Sequence, residues 1–245
     1  MTMFTTFTES FRKQDICLYT ECIGDVAPFG IVPNATTALP TISYSNGNTD
    51  TGNTKQPLGT MTMTLPNTAN AVALIHPACG IYPAAAIPAG GNVDRSFRLG
   101  RGEVDVEARL KTPSNNANII VTFGIGLPSD AAPPAVATDF VGFYAFGNQL
   151  TWTAALVIGS TVIRSAATTL NKGSMHELRV FLDYDANRAK LYANGAHIAT
   201  FDGQLPTTTG LLPHIEIRDR TQTGSLATLQ SVETDYFMVK LKANR

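Results

Sequence analysis

The chain has 245 residues, 44% of them hydrophobic and 15% charged, against roughly 25% charged in an average domain, which is enough apolar material for one large core under a weakly charged surface. A formal net charge of −1 supplies none of the basic excess that attracts nucleic acid or acidic membranes, so neither is an expected partner. Abundant Thr and Asn, with 20 Gly and 14 Pro, point to many short strands joined by polar turns.

Residues 1–55 are Thr-, Asn-, Pro- and Gly-rich, with β-prone pieces around residues 4–7 and 41–44. They are expected to form an N-terminal arm or a segment that completes the sandwich, residues 56–245 being the sandwich domain itself. The opening MTMFTTFTESFRKQD has no apolar run after its basic cluster and does not read as a secretory leader. Cys17, Cys22 and Cys79 are an odd set without zinc-site spacing and read as reduced thiols of a protein made in the cytoplasm. The glycosylation-like triplet Asn34-Ala35-Thr36 is then a chance match.

Further along, residues 45–55 read as a surface loop, and residues 58–65 (LGTMTMTL) alternate as a strand does. Residues 69–91 are the most apolar stretch, but Pro77, Pro83 and Pro88 interrupt it, and a membrane-spanning helix needs about 20 mostly apolar residues. A buried strand and loop is expected there. In residues 101–111 (RGEVDVEARLK), Val104, Val106, Ala108 and Leu110 alternate with Glu103, Asp105, Glu107, Arg109 and Lys111. Residues 119–125 (IIVTFGI) are apolar almost throughout, as a central strand is. A Pro-Ala loop follows at 127–139, then strands at 140–146, 150–156 and 161–169.

Residues 175–202 (MHELRVFLDYDANRAKLYANGAHIATFD) carry three antiparallel strands. Leu178, Val180, Leu182 and Tyr184 alternate with Glu177, Arg179, Phe181 and Asp183, the turn-forming residues 185–188 interrupt, and Asn194-Gly195 tolerates the positive φ of a tight hairpin. Strands at 211–217 and 232–241 close the chain.

The block from His176 through Asp183-Tyr184-Asp185 to Leu191-Tyr192-Ala193-Asn194-Gly195 resembles a signature of the laminin-G and concanavalin A-like lectin/glucanase superfamily. The resemblance implies an all-β, antiparallel two-sheet sandwich, a concanavalin A-like jelly roll. The order of residues 59–63, Glu107–Lys111, Gly142–Tyr144, His176–Gly195 and Val232–Tyr236 further resembles jelly-roll modules of bacteriophage tail and capsid proteins. Such sandwiches host lectins, glycosidases, adhesins and virion proteins, so the fold alone does not choose among them.

The alternation Glu103-Val104-Asp105-Val106-Glu107 places three carboxylates on one face, successive ones about 6.6 Å apart along the strand. Retaining glycosidases use two carboxyl groups about 5 to 5.5 Å apart, which side-chain freedom can supply from that spacing. The continuation Ala108-Arg109-Leu110-Lys111 resembles the strand preceding the catalytic one in laminarinase-like enzymes, residues 119–126 carry no acid, and Trp152 is the only tryptophan. A charge-laced solvent face is therefore expected, with Glu103, Asp105, Glu107, Tyr144 and Trp152 kept as candidate ligand-binding residues and Tyr192 as a further aromatic. Asp183-x-Asp185-x-Asn187 lacks the Gly and distant acid of a calcium loop and reads as turn chemistry. His76, His176, His197 and His214 are scattered singly, and no G-x-S-x-G or phosphate-cradling loop appears.

The expectation is a non-enzymatic structural protein of a phage virion, without metal or cofactor. It is expected on the particle surface after assembly in the host cytoplasm, binding viral coat or tail proteins as a capsid decoration subunit and forming homo-oligomers, a trimer included. The alternative is a tail or cell-surface adhesin that binds a host-surface glycan. A laminarinase-like glycosidase is the third reading.

Overall fold

The structure, a computed structural model, describes residues 15–20, 29–34, 41–45, 60–65, 72–77, 102–113, 118–126, 139–147, 149–159, 161–206, 211–219 and 230–242. The residues expected to be a strand at 4–7, the loop at 45–55 beyond Ser45, Cys22, Cys79 and nearly all of the Pro-Ala loop lie outside them. Among the described residues every element is a strand. In chain order these are β1 (Asp15–Thr20), β2 (Phe29–Asn34), β3 (Thr41–Ser45), β4 (Thr60–Thr64), β5 (Val72–Pro77), β6 (Glu103–Lys111), β7 (Ile119–Gly126) and β8 (Phe140–Phe146). They continue as β9 (Thr151–Ile158), β10 (Thr161–Asn171), β11 (Met175–Asp183), β12 (Arg188–Ala193), β13 (Ala196–Asp202), β14 (Leu212–Asp219) and β15 (Ser231–Lys242).

All pairings are antiparallel and fall into two sheets. The eight-stranded sheet runs β13-β12-β11-β6-β15-β4-β3, and β1 lies beside β15. At twelve residues β15 is long enough for both neighbours: Ser231–Thr234 pair with β4, and Phe237–Lys242 pair with β1. The seven-stranded sheet runs β10-β9-β8-β7-β14-β5-β2. Two meanders, β11-β12-β13 and β7-β8-β9-β10, each build one flank, and the last two strands of the chain fill the middle of each sheet. Among residues 1–55, β1 and β3 join the first sheet and β2 the second. The protein is an all-β, two-sheet antiparallel jelly roll.

Period-two alternation puts one face of each strand into the core. In β11 the even residues His176, Leu178, Val180 and Leu182 are buried and the odd ones half-buried, and in β6 Val104, Val106, Ala108 and Leu110 face inward. From the other sheet Ile119, Val121, Phe123, Ile125, Val141, Phe143, Trp152, Leu156, Ile215 and Ile217 meet them. The short turns follow from residue type. Asn194 and Gly195 hold φ of 49° and 75°, a tight hairpin turn that an Asn-Gly pair takes at little cost. Asn187 holds φ of 50°, its main-chain carbonyl accepts from the Gly203 amide at 2.8 Å, and its side chain accepts from the Leu205 amide at 2.9 Å.

Candidate functional site

The acids of β6 lie on the outer face of the eight-stranded sheet, and each meets a partner across a neighbouring strand. Register sets Asp105 beside β11, where Arg179 donates to both its carboxylate oxygens at 2.7 Å. That hydrogen bond, chiefly, raises the guanidinium pKa above its ordinary value. Glu107 accepts from the Tyr236 hydroxyl at 2.6 Å, and Glu103 from Lys242 at 3.2 Å. Arg109 with Asp235 and Lys111 with Glu233 extend the pattern at 2.9 and 2.8 Å. The Arg179 guanidinium sits 5.6 Å from the Tyr192 ring centre, and that ring meets His197 edge-on at 5.5 Å. Glu103, Asp105 and Glu107 thus share a face, but as members of cross-strand ion pairs and hydrogen bonds on a part-exposed surface.

Asp183 and Asn187 serve the turn between β11 and β12: the Asp183 carboxylate accepts from the Ala186 amide at 2.9 Å. Among the described residues no three His, Cys, Asp or Glu side chains converge as a metal site would require. Trp152 is fully buried between the sheets, so neither face of its ring is open to a ligand, and its Nε1 finds no hydrogen-bond partner among the described residues.

Tyr144 belongs to a different surface, the outer face of the seven-stranded sheet. In β14, Ile215 and Ile217 point into the core, which turns His214, Glu216 and Arg218 to the opposite side. Antiparallel register then lays out one row across five strands: Glu216 opposite Thr122, Thr122 opposite Tyr144, Tyr144 opposite Thr153, and Thr153 opposite Ala167. The adjacent row is His214, Gly124, Gly142, Ala155 and Ser165. The first row grades from buried Glu216 and Thr122 through half-buried Tyr144 and Thr153 to exposed Ala167.

The buried end is polar and internally paired. Arg218 Nε donates to Glu216 Oε1 at 3.0 Å, with 9% and 6% of their side chains exposed. A pair so far out of water holds its geometry because freeing either charge there is costly. His214 Nε2 lies 3.3 Å from Thr122 Oγ1, and its ring lies 6.1 Å from that of Phe140. The other end is apolar: Phe140, Ala155 and Val157 form a small cluster separate from the main core, with Tyr144 packed against it. Glycines make this arrangement possible. A Cβ at Gly142 would stand 2.2 Å from the Phe123 carbonyl oxygen and 2.8 Å from the Phe140 ring, and one at Gly124 would stand 2.3 Å from the Val141 carbonyl oxygen.

The surface so built offers a half-buried aromatic ring beside hydroxyls, backed by a neutralised carboxylate. That is chemistry for holding a polyol, apolar face on the ring and hydroxyls toward the polar row. Among the described residues of these strands Glu216 is the carboxylate of this face, and glycoside hydrolysis uses two such groups. Sequence reasoning singled out Tyr144, treated His214 as a solitary histidine, and passed over Thr122, Glu216 and Arg218. The alternation His214-Ile215-Glu216-Ile217-Arg218 was the available signal.

The sequence matches no protein-family model and no curated protein. The fold matches solved structures over nearly their whole length. A β-glucanase of Bacillus licheniformis superposes with a TM-score of 0.51 at 14% identity, covering 94% of this chain and 98% of that one. Peanut lectin superposes at 0.54 and 12% identity, covering 95% and 100%. A carbohydrate esterase of the Shiga toxin-encoding bacteriophage phi24B superposes at 0.52 and 9% identity, covering 92% and 98%. The fold is that of the concanavalin A-like lectins and glucanases.

Proposed function

We propose that the chain is a non-enzymatic, glycan-recognising protein of a bacteriophage particle, an adhesin whose glycan face is the outer side of the seven-stranded sheet. The observation that carries this reading is the row Glu216, Thr122, Tyr144, Thr153, in which a partly accessible ring lies between hydroxyls and leads to a buried ion pair. Tyr144, Thr153, Ser165 and Ala167 are the accessible contacts, and Glu216, Arg218 and His214 are positioning residues beneath them. A lectin and a phage carbohydrate esterase of the same fold support a carbohydrate ligand. The order of jelly-roll motifs along the chain supports a place on a virion. The engagement of Glu103, Asp105 and Glu107 in cross-strand pairs supports binding without turnover.

The same considerations weigh against a capsid decoration subunit clamped on by an N-terminal arm. Three pieces of residues 1–55 are strands of the two sheets, which makes them a poor source for such an arm. Glycan-array binding by the full chain, combined with antibody labelling of purified particles, tests the proposal. Saturable binding to a defined glycan and labelling of tails support it. No glycan binding together with labelling across the capsid shell replaces it with the decoration role.

A further inference from the structure

We infer that β10 is a self-association edge, on which a second copy of this chain adds its own β10 antiparallel about a two-fold axis. The inference is independent of the glycan reading. Among the described strands β10 pairs with β9 alone, so the other side of its backbone has no strand partner among them. It is eleven residues long, about 36 Å of extended chain, contains no proline and carries one charge, Arg164. Monomeric proteins blunt edges of this kind with charge, proline, short length, bulges or a covering segment, because an unpaired row of N–H and C=O groups is a template for another strand; of these β10 shows one charge and two bulges. Two bulges against β9, at 162–164 and 167–171, alter its register while leaving every residue from Thr161 to Asn171 extended.

The partner is a second copy because the exposed apolar residues are arranged in a self-complementary way. Leu150, Val162 and Ile163 are the exposed large hydrophobics among the described residues, at 69%, 51% and 40%. All three flank this one edge. Val162 and Ile163 sit at its start, and Leu150 sits at its finish, where its carbonyl accepts from the Lys172 amide at 2.9 Å. A two-fold axis through Ala166 brings the start of one strand alongside the finish of the other, so each Val162–Ile163 pair approaches the partner's Leu150. The same register sets Arg164 opposite the partner's Thr168, keeping the two arginines about 13 Å apart along the strands. Small and β-branched residues, Ser165 to Thr168, fill the middle.

Sedimentation equilibrium of the full chain tests this. A dimer is expected, and because these side chains are exposed the double variant Val162→Lys/Ile163→Lys is expected to fold normally while dimerising about tenfold more weakly or worse. Ala166→Cys is expected to form a dimer-linking disulfide under mild oxidation, through the residue on the axis. A monomer at all concentrations, a trimer, or a dimer that neither variant affects overturns the inference.

Discussion

The side-chain amide of Asn194 lies between His176 and the backbone that follows it, with Nδ2 3.3 Å from His176 Nδ1 and Oδ1 accepting from the Glu177 amide at 2.9 Å. His176 Nε2 in turn lies 2.8 Å from the Asn171 carbonyl oxygen, so one imidazole ties the turn before β11 to the hairpin after β12. With Nε2 as the donor to that carbonyl, Nδ1 is left to accept from Asn194. This is the physical content of a His and an Asn-Gly eighteen residues apart in the sequence.

Asn194→Ala removes both contacts and forces a side chain that resists positive φ into a φ of 49°. A loss of about 1–3 kcal/mol is expected. Thermal unfolding is expected to show a clear drop in Tm for Asn194→Ala and a smaller one for Asn194→Gly, which keeps the backbone unstrained. Equal drops would show that the side-chain contacts dominate.

Gly142, beneath Phe140, and Gly203, just after β13, yield a sharper contrast. Gly142→Ala meets the Phe123 carbonyl oxygen, which is backbone and cannot rotate away, whereas a Cβ at Gly203 meets nothing within 4 Å. Gly203→Ala, strained only by its φ of 76°, is expected to cost about 1 kcal/mol, and Gly142→Ala several times that. Denaturant midpoints of the two variants check the order.

Burial raises the Tyr184 phenol well above its ordinary pKa, and its hydroxyl donates to the Pro206 carbonyl at 3.3 Å. The unfolded chain ionises this tyrosine from about pH 10, while the folded protein keeps it protonated. The associated stability is therefore intact below that pH and is lost as pH rises above it. Tyr184→Phe is expected to flatten this part of the alkaline loss and to remove one high-pH tyrosine transition from the ultraviolet titration; an unchanged titration would contradict it.

The fold was legible where a strand has one wet face. β6, β11, β12 and β13 alternate cleanly, and their turns carry Asp183 with Asn187 and the pair Asn194-Gly195. β1 and β2 were not anticipated, because DICLYT and FGIVPN are short edge strands whose places depend on pairing with β15 and β5, far along the chain. The candidate site was half legible for a related reason. β6 and β14 both alternate charged with apolar residues, but in β6 the charged side faces water and in β14 it is buried. Burial of a polar row is set by what packs over the sheet, and local periodicity carries no trace of it. Trp152 shows the converse, since an aromatic on a strand reads the same whether its ring lies in the core or on a surface.

The outer face of the seven-stranded sheet, and Tyr144 in particular, is the centre of the functional account. The most direct measurement is the affinity of wild type, Tyr144→Ala and the triple variant Glu103→Gln/Asp105→Asn/Glu107→Gln for a glycan selected on an array, with product release assayed in parallel. The account predicts that Tyr144→Ala loses about 1–3 kcal/mol of binding, roughly five- to 150-fold, while the triple variant binds as wild type does and no protein releases reducing ends. Binding that survives Tyr144→Ala but is abolished by the triple variant, or turnover that the triple variant abolishes, would contradict it.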